Sequence, residues 1–173
     1  GNLTSTEGLS GSSSCGPVQD GRVKPELTSM GTSVFSTNNT VSTYVTLSGT
    51  SMSTPGVAGS LALLVQRYKQ LNGNVVPPST LIKNAACNAA QDLGNPGPDY
   101  RFGFGRINAL NAVKILEDNR YLLGAPMSTG GVNNTTITVP ANAARLRVIL
   151  TWNDPAAAAN SNPALVNNLD LTV

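Results

Sequence analysis

The chain has 173 residues, of which 40% are apolar and only 12% charged, with a formal net charge of +2. A soluble globular chain usually carries about 25% charged residues, and here Ser, Thr, Asn and Gly take that place, a surface suited to an exported protein. No cluster of Lys and Arg marks a nucleic-acid footprint, no run of about 18 apolar residues marks a membrane span, and the sequence contains no histidine.

The missing histidine narrows the chemistry. Most serine hydrolases use histidine as the general base, so this chain cannot supply one, and a His-based zinc site is excluded. Two cysteines, Cys15 and Cys87, are too few for structural zinc. They are either a disulfide or two unpaired thiols, because spacing alone does not place their Cα atoms within bridging range. The chain opens Gly1-Asn2-Leu3 without a Met or a signal peptide, the start expected of a processed product or a fragment.

Along the chain, residues 1–33 read as Ser/Gly/Thr-rich loops around short extended pieces. Val34-Phe35-Ser36 and Thr43-Tyr44-Val45-Thr46 are strand candidates, and Thr37-Asn38-Asn39-Thr40 between them predicts a hairpin. A helix is predicted next, with Thr54 as N-cap and Pro55 at the first helical position. Val57, Leu61, Leu64, Val65 and Tyr68 recur at helical spacing, and Asn72-Gly73 closes the run. Gly56, Ala58, Gly59 and Ala62 allow close approach, so this helix is expected to be central and mostly buried. Ser79 is expected to cap a second helix through Ala89. Residues 92–106 are irregular, and a third helix is predicted from about Asn108 to Glu117.

After Gly124 the character changes. Residues 124–134 read as a linker. Thr136–Val139 and Leu146–Leu150 look like strands, and Asn168–Val173 alternates polar and apolar with period two. No internal repeat is present.

The stretch Gly49-Thr50-Ser51-Met52-Ser53-Thr54-Pro55-Gly56-Val57-Ala58-Gly59 carries the chemistry. It sets Ser51 just before a Gly/Ala-rich helix. Backbone N–H groups at a helix start lack internal partners and can donate to a developing oxyanion, and the helix dipole favours negative charge there. Ser51 could instead merely help cap the helix, but Thr54 with Pro55 already fills that role in this reading.

These residues resemble the active-serine motif of the subtilisin-like serine protease (subtilase) family, G-T-S-M-[A or S]-x-P followed by V-A-G. Ser13-Ser14-Cys15-Gly16-Pro17 with Asp20-Gly21-Arg22-Val23-Lys24-Pro25-Glu26 resembles the family's segment upstream of the serine. Tyr100 to Ala109 resembles the segment before the last domain helix, with an extra residue at Arg101-Phe102. Gly56 stands where subtilisins often have a histidine that is not the triad base. The resemblance covers about residues 1–122. Leu150-Thr151-Trp152-Asn153-Asp154-Pro155 and Leu165 to Leu171 resemble a β-sandwich module found after some bacterial subtilase domains.

The resemblance implies an α/β fold, the C-terminal part of a subtilisin-like three-layer domain with a parallel sheet. This part is expected over residues 1–123, a linker over 124–134, and the start of an all-β, jelly-roll-like sandwich over 135–173. It implies a secreted serine endopeptidase acting on protein or peptide substrates, with Ser51 as nucleophile and Gly49, Thr50 and Ser51 forming the oxyanion backbone. The family's aspartate, histidine and oxyanion asparagine lie N-terminal to this chain, and Asn2 is not that asparagine. The isolated chain is therefore expected to be inactive, with the N-terminal part of the same protease as its partner. No cofactor is needed for the chemistry. Structural calcium is the one metal the sandwich likeness implies, with Asp154 and Asp170 as nominees, against which stands the plain reading of two Asp residues in turns. Asp92 and Asp99 carry the same two readings. Asp20 and Lys24 are expected to organise a loop, and Trp152 to pack in a sheet. Asn2-Leu3-Thr4, Asn38-Asn39-Thr40 and Asn133-Asn134-Thr135 match glycosylation acceptors. The rival readings are a non-catalytic pseudo-protease and a β-sandwich interaction module.

Overall fold

The computed structural model describes residues 1–124 and 127–173. Its elements run β1 (Asn2–Leu3), β2 (Ser29–Met30), β3 (Val34–Thr37), β4 (Tyr44–Leu47), α1 (Thr50–Leu71), α2 (Ser79–Asn88) and α3 (Ala109–Glu117). β1 and β2 pair in parallel, Asn2 opposite Ser29 and Leu3 opposite Met30. Two residues each are too few to show a period, so the sequence gives no strand signal there, only extended pieces among loops. β3 and β4 form the expected antiparallel hairpin, with Val34 opposite Leu47 and Thr37 opposite Tyr44. Its loop closes where Asn38 N–H donates to Thr43 O at 3.0 Å. A broad parallel sheet of a three-layer domain is not formed among the described residues, whose parallel sheet has two strands.

The apolar stripe of α1 does what its spacing dictates. Leu64 and Tyr68 are buried with Leu81, Ile82 and Ala85 of α2 and with Ala112 and Leu116 of α3, while Leu61, Val65 and Val113 flank them. The same helix touches both parallel strands. Gly56 is what lets it come so close, since a Cβ there would lie 2.8 Å from Ser29 Oγ. α1 is therefore central, as expected, but it is not mostly buried. Its buried residues are Ser53, Leu64 and Tyr68, and Leu63 is 56% exposed, because no element among the described residues covers its remaining faces.

Helix starts differ from the sequence reading. α1 begins at Thr50, four residues before Thr54, and contains Pro55. The Thr54 hydroxyl caps nothing. It donates back to Thr50 O at 2.9 Å, the i−4 bond open to Ser and Thr inside a helix. For α2, Ser79 is the first helical residue and Pro78 takes the N-cap position. α3 starts as predicted, with the Asn108 side chain accepting from Asn111 N–H at 3.0 Å.

Residues 127–173 contain no hydrogen-bonded strand, and Ile137, Val139, Leu146 and Leu150 are exposed. An alternating segment becomes a strand only when a second strand meets its N–H and C=O groups, and these three segments do not pair with one another. The linker expected over 124–134 includes Ala125 and Pro126, which lie outside the described residues. The tail docks on α2 instead. Asn84 Nδ2 donates to Ile149 O at 2.8 Å and lies 2.6 Å from Thr151 Oγ1. Arg147 donates to Asn88 O at 2.9 Å and to Ala90 O at 3.1 Å, which satisfies carbonyls at the C-terminus of α2.

Candidate active site

The stretch from Gly49 to Gly59 begins where the parallel pair hands over to α1. Gly49 N–H donates to Gly31 O at 2.8 Å, and Gly31 N–H donates to Leu3 O at 3.1 Å. This ladder continues the sheet to the edge of the helix. Gly49 then turns with φ of 155° and ψ of 168°, a region open to glycine. Its carbonyl accepts from Met52 N–H at 3.0 Å and Ser53 N–H at 3.3 Å. The first-turn N–H groups of Thr50 and Ser51 have no acceptor among the described residues.

Ser51 therefore lies inside the first turn, not before it, and it is exposed. Its hydroxyl has no partner among the described residues. An exposed hydroxyl beside two free backbone donors, at the positive end of a 22-residue helix, is an arrangement for stabilising negative charge on a reacting oxygen.

The metal nominees Asp154 and Asp170 both lie in the tail. Asp154 is held below the usual carboxylate range, first by the backbone N–H of Val166 and then by Asn167. Val166 N–H donates to Oδ2 at 2.7 Å, while Asn167 N–H and Nδ2 reach Oδ1 at 3.0 and 2.8 Å. Donors already occupy both oxygens, and Asp170 is exposed. No group of three or more His, Cys, Asp or Glu residues is placed to hold a metal among the described residues. Asp99 and Asp92 organise loops, Asp99 accepting from Arg101 and Phe102 N–H at 2.8 and 2.7 Å and Asp92 from Gly97 N–H at 2.7 Å. The extra residue at Arg101-Phe102 is absorbed in that turn, and Phe102 is buried by it.

Asp20 and Lys24 take the loop roles expected of them. Asp20 accepts from Arg22 Nε at 2.8 Å, and the Arg22 guanidinium holds its carboxyl below the usual range. Lys24 and Lys83 both pair with Glu26. Burial alone would raise the Glu26 carboxyl, but the hydrogen bonds from Lys24, the backbone and Lys83 outweigh it and hold the carboxyl down. Cys15 is exposed and Cys87 buried, and both are free thiols. Asn2 is fully buried, so the first of the three glycosylation matches is closed to modification. The sequence reading missed the polar neighbours of the motif, buried Asn2 and Ser29 and half-buried Thr32, and the only signal for them was a run of small polar residues that resembles any loop.

The model of the subtilase family matches residues 1–105. The chain is 27% identical over 197 residues to the serine protease/ABC transporter B family protein tagA of Dictyostelium discoideum, an alignment covering 93% of this chain and 11% of that protein. It is 40% identical over 70 residues to an extracellular serine protease of Serratia marcescens, covering 40% of this chain and 6% of that one. The CspB protease of Clostridium perfringens matches the fold with a TM-score of 0.60 and 28% identity, over 66% of this chain and 25% of its own. The chain thus spans about a tenth or less of the length of these two sequence relatives. With the motif at a helix start, the family match over residues 1–105 and the shared fold, the chain belongs to the subtilase family.

Proposed function

We propose that this chain supplies the nucleophile segment of a secreted serine endopeptidase. One observation carries the reading: Ser51 is exposed in the first turn of α1 beside the free N–H groups of Thr50 and Ser51. Ser51 Oγ attacks the peptide carbonyl and gives its proton to a histidine, while the carbonyl oxygen takes up charge facing the Ser51 N–H. The proton then passes to the leaving amine as the C–N bond breaks, and water releases the acyl group by the same route. The chain has no histidine, so the base, its orienting aspartate and the asparagine donor come from the N-terminal part of the same protease. Substrates are proteins or peptides. The low charge of the chain and its likeness to an extracellular relative support secretion. The strand-like segments of residues 135–173 support a β-sandwich start.

The test is peptide hydrolysis. The 173-residue chain alone is expected to hydrolyse nothing, and the protein with its N-terminal part is expected to be active. Ser51→Ala in that protein should lower kcat by about 10⁶-fold, the loss found when the serine of a subtilisin triad is removed. Retained activity in Ser51→Ala refutes the reading.

A further inference from the structure

Ser53 comes two residues after Ser51. Two positions on an α-helix are turned about 200° apart, so a helix that sends Ser51 to solvent sends Ser53 into the fold. The structure shows that division, with Ser51 exposed and Ser53 3% exposed. The Ser53 hydroxyl donates to Ser29 O on β2 at 3.0 Å, with Asn2 Oδ1 on β1 alongside at 3.5 Å. The Thr32 hydroxyl donates to the same Oδ1 at 3.3 Å. Asn2 is itself 0% exposed, and its backbone N–H donates to Ser13 Oγ at 3.0 Å.

Gly31 leaves the room for this contact. A Cβ there would lie 2.1 Å from Ser53 Oγ, 2.5 Å from Asn2 Oδ1 and 2.6 Å from Gly49 O. Three features therefore meet at one point: the helix turn that bears Ser51, the β1–β2 pair, and the Gly31–Gly49 bond that sets where the helix begins.

The choice of polar groups needs a reason. Asn2 Nδ2 is buried without a partner, and an unsatisfied buried polar group costs about 1–3 kcal/mol. Alanine at both positions would pack without that cost. What hydrogen bonds add is direction, because they constrain distance and angle where apolar contact constrains only distance.

We propose that Asn2 and Ser53 are positioning residues, a buried polar tie that fixes the rotation of the first turn of α1 and so the aim of Ser51 and of its N–H. The proposal rests on Ser51 being the nucleophile. A reacting oxygen gains its advantage from being held in a near-attack geometry, so loosening the turn lowers the rate of the chemical step and leaves substrate binding in place.

The experiment is steady-state kinetics on a peptide substrate with the protease including its N-terminal part, run well below the melting temperature of every variant. Ser53→Ala and Asn2→Ala are each expected to lower kcat about tenfold with KM within about twofold. The double variant is expected to fall no further than Ser53→Ala alone, because that change already removes the Asn2 contact along with the bond to Ser29 O. Thr32→Val, which leaves the Ser53 contact intact, is expected to keep kcat within about twofold. Single variants that keep wild-type kcat, whatever their melting temperature, overturn the proposal, as do losses that multiply in the double variant. Activity surviving in Ser51→Ala is a different result, since it removes the nucleophile reading and not the tie alone.

Discussion

Cys15 and Cys87 show how one residue type takes two fates in one chain. Cys87 sits on the inner side of α2, and burial pushes its thiol up to about 11. Only the thiolate is a good nucleophile, so at pH 8 almost none of Cys87 is reactive. Cys15 is exposed. Brief iodoacetamide treatment of the native protein at pH 8 is expected to alkylate Cys15 and spare Cys87, as read by peptide mass spectrometry. Equal labelling of both would show that α2 opens readily. Asp154 teaches a related lesson about legibility. From sequence this carboxylate is a metal nominee against the plainer reading of a turn organiser, and the structure shows Val166 and Asn167 N–H groups bound to it. Their positions depend on how the chain folds back, which the sequence does not display.

At the scale of elements, what could be read was periodic or locally signalled. The stripe from Val57 to Tyr68 identified α1, the helical spacing of Leu110, Val113 and Leu116 identified α3, and β-branched and aromatic residues around a turn identified the hairpin. Its Phe35 and Tyr44 rings stack with centroids 5.3 Å apart. The start of α1 was not legible, for a definite reason. Thr54-Pro55 satisfies the local rule for a helix N-terminus, but the helix is begun by the long-range bond from Gly49 to Gly31 O. Once begun there, it tolerates a proline whose missing N–H costs it one bond. The strands β1 and β2 were invisible for the same kind of reason, since two-residue strands exist only through each other. Packing along α1 makes a quantitative prediction. Leu64 is fully buried among α2 and α3 side chains, and Leu→Ala at such sites costs about 2–5 kcal/mol. In the full protease, Leu64→Ala is expected to lose about 3 kcal/mol by denaturant unfolding, within that range. A loss below about 1 kcal/mol, well under the cost of emptying a packed site, would mean that the three-helix cluster is not the core described.

At the scale of the whole molecule, the core is small and the exposed apolar surface large. Val41, Val76, Leu110 and Leu122 are among many large apolar side chains more than half exposed, and the parallel sheet has two strands where helices on both faces are the rule for such sheets. The tail, meanwhile, is tied to α2 by Asn84 and Arg147, so the family domain and the segment C-terminal to it share an interface. The central claim, that Ser51 is the nucleophile of a site completed from outside this chain, is tested most directly with a fluorophosphonate probe. The probe is applied to the 173-residue chain alone and to the protease including its N-terminal part, and the labelled peptide is mapped by mass spectrometry. The account predicts label on Ser51 alone in the longer protein and none on the isolated chain. Label on Ser53 or Ser48, or an active longer protein in which Ser51 stays unmodified, would contradict it.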